Sequence, residues 1–267
     1  MGIILIAILV LGGVALICGL VLALASSVMH VEEDARVLQI KEALPGANCG
    51  ACGYPGCDGY ANAIINGEAD VSACPPGGQT VAETIAQIMG VEAASSEAKQ
   101  AIVQCAGCDT NAKIKMQYEG AGTCVYANQL YSGRQSCNYA CLGYGDCKKT
   151  CPHHAIEIIH NIAVINPARC VGCKLCLAAC PKELIVMKTQ KPHAIVACSS
   201  TDKAQIVNKH CSKGCIACRK CIKACTQGAI TLTDNLAEID EERCNACGAC
   251  VTECPRGTIY ITEGPVK

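Results

Sequence analysis

The sequence contains no Phe and no Trp, and its eight tyrosines are the only aromatic side chains in 267 residues. A large aromatic core is therefore excluded. It also lacks a G-x-G-x-x-G fingerprint after a strand, a Walker loop and a nucleophile elbow, so no nicotinamide site and no bond chemistry on a substrate are expected, and no catalytic residue is assigned. The six His are scattered, and His153 and His154 stand in a loop where solvent exposure is the plain reading. No nucleic-acid partner is expected.

What is abundant is cysteine, with 26 in the chain. Thiols at this density replace a missing core either as disulfides or as metal thiolates. Runs of the form C-x2-C-x2-C-x3-C place thiolates poorly for pairing with one another but well for a four-iron cubane. Zinc remains the alternative metal. The formal net charge of −1 counts cysteine as neutral, and each oxidised cubane with four thiolates adds about −2.

Ile3 to Ala25, IILIAILVLGGVALICGLVLALA, carries no charge. As a helix it would be about 34 Å long, enough to cross a hydrocarbon core of about 30 Å. A membrane anchor over 1–28 is expected rather than a cleaved signal peptide, because no basic segment precedes the apolar run. Thiolate clusters need a reducing compartment, which places the rest of the chain on the cytoplasmic side of the inner membrane. Cys18 lies within the span as a small apolar residue.

Residues 29–90 form the first module. A short amphipathic helix with Val37, Leu38, Ile40, Lys41 and Leu44 precedes NCGACGYPGCDGYANAII, and SACPPGG follows. Cys49, Cys52, Cys57 and Cys74 are the candidate ligands. Gly50, Gly53 and Gly56 let the backbone turn tightly around a cluster.

The remainder carries a repeat with an offset of 74 residues. CPHHAIEIIHNIAVINPARC, Cys151 to Cys170, lies over CTQGAITLTDNLAEIDEERC, Cys225 to Cys244. Each copy, 133–190 and 208–267, has the layout of a two-cluster ferredoxin, with 91–132 and 191–207 as linkers. In the second copy the fourth Cys of each run crosses to the other cluster, giving Cys215, Cys218, Cys221 and Cys254 for one site and Cys244, Cys247, Cys250 and Cys225 for its neighbour. In the first copy Cys170, Cys173, Cys176 and Cys151 are complete. The other site has Cys141, Cys147 and Cys180, but Tyr144 stands where the second ligand should be. Cys137, four residues before the motif, is the expected replacement; a three-iron cluster or a vacant site is the alternative.

Cys105, Cys108, Cys124, Cys198 and Cys211 remain. With the C-x2-C of QCAGCDTN they could supply a sixth cluster, in which Cys137 could also take part, or they are spare thiols. Lys213, Arg219, Lys220 and Lys223 surround the second-copy ligands, a basic rim suited to a small acidic electron donor or simply a solvated face.

The expected fold class is α+β: one transmembrane helix, a small 4Fe-4S module and two tandem ferredoxin-like domains. An apolar N-terminus, NCGACGYPGCDGYA and CLGYGDCKKTCP followed by ferredoxin motifs together resemble the B subunit of the Rnf ion-translocating ferredoxin:NAD+ oxidoreductase family. The cysteine motifs supply ligands for five [4Fe-4S] clusters, with a sixth if the leftover thiols take part, and the resemblance implies electrons arriving from soluble reduced ferredoxin and partner subunits in and on the membrane. Alternatives are a membrane-tethered zinc or iron–sulfur scaffold and a polyferredoxin of another membrane oxidoreductase. A corrinoid iron–sulfur methyl carrier resembles the first module but needs a corrinoid domain for which this chain has no room.

Overall fold

The computed structural model describes residues 2–28, 34–93 and 98–262, with side chains in the first helix described at 2, 6 and 9–24. That helix, α1 (Gly2–Val28), is continuous, and its described side chains are exposed. Among the described residues no helix is long and apolar enough to cross a membrane; the apolar run of the sequence extends past both ends of the stretch 9–24.

The first module packs three helices: α2 (Ala35–Ala43), α3 (Gly56–Ile65) and α4 (Gly78–Met89). Asp34 caps α2 by accepting from the Arg36 N–H at 2.9 Å. The apolar faces meet in a core of Val37, Ile40, Leu44, Tyr60, Ala61, Ile64 and Ile85. The tyrosines close the loop that returns Cys74: Tyr60 Oη donates to the Asp70 carbonyl at 2.7 Å and Tyr54 Oη to the Glu68 carbonyl at 2.9 Å.

Then follow β1 (Lys99–Val103), α5 (Cys124–Gln129), α6 (Asp146–Thr150), β2 (Ile156–Ile159), β3 (Ile162–Ile165), α7 (Leu175–Ala178) and β4 (Ile185–Thr189). The second copy contributes β5 (Ala194–Val196), α8 (Ala204–His210), α9 (Lys220–Ala224), β6 (Ile230–Thr233), β7 (Leu236–Ile239), α10 (Ala249–Thr252) and β8 (Ile259–Ile261). Hairpin β2–β3 pairs Ile156 with Ile165, and β6–β7 pairs Ile230 with Ile239. Both turn through two left-handed residues, His160 and Asn161 or Asp234 and Asn235, as a two-residue hairpin of this twist requires.

The segments 91–132 and 191–207 do more than link. They supply β1 and β5, which close their modules by pairing with β4 (Val103 with Ile185) and β8 (Val196 with Ile259). Each ferredoxin-like unit thus begins earlier than the Cys motifs indicate. Seven core positions then agree: Ala101, Val103, Cys147, Ile156, Ala163, Cys176 and Ile185 in one, and Ala194, Val196, Cys221, Ile230, Ala237, Cys250 and Ile259 in the other, which adds Cys198. The modules are fastened by an antiparallel bridge between Ala112 and Cys211, by Lys113 N donating to the His210 carbonyl at 2.8 Å, and by Thr189 N donating to Glu241 Oε2 at 2.8 Å.

Candidate iron–sulfur centres

In the first module α3 starts at Gly56, which places Cys57 on its first turn, with Cys57 N donating to Asn48 Oδ1 at 2.8 Å. Gly56 has φ +79°, and a Cβ there would lie 2.9 Å from that same Asn48 oxygen. Cys74 lies among Cys52, Cys57 and Cys49, and burial followed by these neighbours raises its thiol. The four expected ligands are therefore brought together.

The four ferredoxin runs share one backbone device. After the first Cys of each, two residues with positive φ flank a central position: Ala217 and Arg219 around Cys218, Ala246 and Gly248 around Cys247, Gly172 and Lys174 around Cys173, Gly143 and Gly145 around Tyr144. Successive turns of this kind aim N–H groups into a concavity that favours negative charge. Backbone N–H groups also reach individual sulfurs: Ala101 to Cys170, Ala155 to Cys151, Ala194 to Cys244 and Ala229 to Cys225, each at 3.4 Å, and Thr258 to Cys254 at 3.5 Å.

The crossing sets assemble. Cys215, Cys218, Cys221 and Cys254 line one cavity of about 390 Å3, counting the part open to solvent. Cys250 lies beside Cys244, Cys247 and Cys225, and Cys176 beside Cys170, Cys173 and Cys151.

At the Tyr144 site the geometry departs from expectation. A second cavity of about 390 Å3 is lined by Cys141, Cys147, Cys180 and Cys124, whereas Cys137 lines a different one. Cys124 opens α5, where Asp146 Oδ2 accepts from Cys124 N at 2.8 Å and from Val125 N at 3.2 Å. Tyr144 holds the preceding loop through an edge contact with Tyr118, ring centroids 5.4 Å apart. The residue replacing a ligand thus helps to hold the segment that brings Cys124 in.

Cys108, half of the expected C-x2-C pair, joins no such set. Its Sγ accepts from Asn111 Nδ2 at 2.9 Å and contacts Thr110 Oγ1 at 3.2 Å, and the Thr110 hydrogen bond holds its thiol below the ordinary value. Cys18 lies exposed on α1.

Burial sets the charge state of the enclosed thiols. Cys147 and Cys176 are pushed up to about 12 and Cys221 to about 11, neighbouring thiols adding to the rise. Without iron these groups carry protons at neutral pH, and iron must displace them. Among the described residues no three Cys, His, Asp or Glu side chains converge on a single metal ion; thiolates on four separate irons stand farther apart than thiolates on one tetrahedral ion. Sulfur donors, N–H groups aimed at sulfur and a cavity between them fit a four-iron cluster.

Comparison with known proteins agrees with this donor chemistry. An Fe-S cluster family matches residues 44–76, a 4Fe-4S binding domain residues 163–186, and a 4Fe-4S dicluster domain residues 214–258. The B subunit of the Na(+)-translocating ferredoxin:NAD(+) oxidoreductase complex of Acetobacterium woodii is 42% identical over 235 residues, 88% of this chain and 71% of its own. The chain belongs to the Rnf B-subunit family.

The B subunit of an ion-translocating oxidoreductase complex of Methanosarcina acetivorans is 38% identical, covering 88% of this chain and 89% of its own. The B subunit of the proton-translocating ferredoxin:NAD(+) oxidoreductase complex of Clostridium ljungdahlii is 36% identical, covering 85% and 81%. This Rnf protein is accordingly an iron–sulfur electron-transfer component of a multi-subunit complex.

One glycine of this Rnf protein is tied directly to the Tyr144 site. Gly143 has φ +77°, and a Cβ there would lie 2.6 Å from the Asn161 carbonyl oxygen. Gly143→Ala is expected to cost about 1–3 kcal/mol in backbone strain alone. Its iron is expected to leave faster in an anaerobic chelator chase; an unchanged release rate would show that the hairpin gives way freely.

Proposed function

We propose that this protein is a membrane-anchored relay that receives electrons from reduced ferredoxin and hands them on within the complex. A four-iron cluster, when bound, takes up and returns a single electron. The chain's own task is to hold such centres close together, and the crossing ligands carry this reading: each module can complete one site only by docking the half that completes the other. Burial raises the Cys173 thiol and Cys49 adds to the rise, which supports passage of electrons between the first module and the first ferredoxin-like unit. At the far end Cys218 and Cys247 are exposed, suiting exchange with a soluble partner.

The uncharged run of α1 supports an anchor through the bilayer, with the cysteine-bearing modules on the cytoplasmic side. Deleting residues 2–28 is expected to release the chain from membranes washed in alkaline carbonate; retention would place the attachment elsewhere.

The relay itself is tested by mixing anaerobic protein with reduced ferredoxin. Loss of visible absorbance, reversed by an oxidant, is expected, and an iron-poor, zinc-rich, redox-silent protein would favour a scaffold instead. Arg219 and Lys220 are exposed beside Cys218. Arg219→Glu with Lys220→Glu is expected to slow reduction about tenfold at low salt and to flatten its salt dependence. An unaltered salt dependence would remove the basic rim from the docking site.

A further inference from the structure

Four thiols outside the ferredoxin sets face one another across the seam between the two modules. Cys105, Cys137, Cys198 and Cys211 line a cavity of about 430 Å3, counting the part open to solvent, beside about 390 Å3 at each of the two ligand-lined cavities described above. Its remaining wall is largely small residues, among them Ala106, Gly107, Ala112, Ala140, Ala197 and Gly214.

The four come as two equivalent pairs. Val103 pairs with Ile185 as Val196 pairs with Ile259, so Cys105 and Cys198 occupy the same place, two residues beyond the first strand of each module. The sequence carries the match as AIVQC and AIVAC. Cys137 and Cys211 each stand four residues before their module's first motif cysteine.

Their surroundings repeat as well. Cys105 Sγ accepts from Gly107 N at 3.4 Å, and Cys198 Sγ from Ser200 N at 3.5 Å. Cys105 Sγ also accepts from Cys141 N at 3.4 Å, and Cys198 from the backbone of Cys215. In both modules the donor is the first ligand of the neighbouring cluster set. These are the N–H to sulfur bonds found at the motif ligands, and two half-sites related by the repeat make up a four-thiolate set.

We infer that Cys105, Cys137, Cys198 and Cys211 hold a sixth four-iron cluster, shared between the ferredoxin-like modules and lying between the Cys141 and Cys215 sets. It rests on the relay reading and gives the relay its order: Cys49, Cys170, Cys141, Cys105, Cys215 and Cys244 mark six neighbouring sets in single file. Of the 26 cysteines only Cys18 and Cys108 are then left outside a site.

Iron, acid-labile sulfide and zinc are measured on anaerobically reconstituted full-length protein and on Cys105→Ser, Cys198→Ser and Cys108→Ser. The wild type is expected to hold about 24 iron with equal sulfide, the first two variants about 20, and Cys108→Ser about 24. Wild type saturating at about 20 iron, with no further loss in Cys105→Ser and Cys198→Ser, overturns the inference while leaving the relay intact. One zinc per chain that disappears in Cys198→Ser overturns it too. Should the serine variants lose iron throughout by misfolding, the wild-type count decides alone, with about 24 supporting the site and about 20 excluding it. Little iron at any site in the wild type would sink the relay reading itself.

Discussion

Cys124→Ala is expected to strip the first ferredoxin-like module of about one to four irons, the lower figure marking a surviving three-iron cluster. It leaves Cys141, Cys147 and Cys180 in a cavity that Cys124 no longer completes. Adding Tyr144→Cys to the same chain is expected to restore the lost iron. Position 144 lies between two left-handed residues, as Cys173, Cys218 and Cys247 do in the other runs, so the backbone already presents its side chain where those runs present a thiolate. The cost is the edge contact of Tyr144 with Tyr118, of the order of 1 kcal/mol. Iron analysis with low-temperature electron paramagnetic resonance on both variants decides the matter. Undiminished iron in Cys124→Ala would remove Cys124 from the site, and failed restoration would mean that the left-handed turns alone do not position a ligand.

Removing the iron is expected to unfold residues 98–262 altogether. The fully buried cluster of each ferredoxin-like unit holds only one Val and two Ile besides Ala and Cys, with further aliphatic side chains half-buried against it. Burial of three branched aliphatic side chains contributes about 5–9 kcal/mol. Ordering the chain opposes this at about 1.5 kcal/mol per residue, over far more residues than such a core can hold in place. Metal binding then supplies much of the folding free energy, as in other small metal-held domains. After anaerobic chelation the far-ultraviolet circular dichroism is expected to lose its strand signal, and protease is expected to cut freely between 98 and 262. A cooperative thermal transition surviving in iron-free protein would show that the apolar core suffices.

The repeat was open to reading because metal ligation constrains spacing rigidly: Cys151 and Cys225 share an offset with every ligand after them, and the strands and helices between keep it, as β2 at Ile156 and β6 at Ile230 show. The crossing of Cys180 and Cys254 follows from the same spacing. The first module was legible for the same reason, its four cysteines lying within one compact segment.

The other leftover thiols were not, because the constant offset, which still pairs Cys137 with Cys211, fails ahead of that pair. The first copy carries a longer stretch between β1 and Cys141 than the second carries between β5 and Cys215. Laid at a fixed offset, Cys124 falls on Cys198, and the pair that matters, Cys105 with Cys198, is hidden; the twice-written AIV-x-C was the signal available. Cys137 stood four residues from a deficient motif and was the natural replacement by proximity in sequence. Cys124 is the thiol that lines that motif's cavity with Cys141, Cys147 and Cys180, its backbone N–H held by Asp146 at the start of α5. Local spacing thus determined which cysteines form motifs and how each run folds back on its partner. Only the docking of the two modules decided where the remaining thiols converge, since such contacts depend on strand pairing and on the seam between units, which no short-range pattern records.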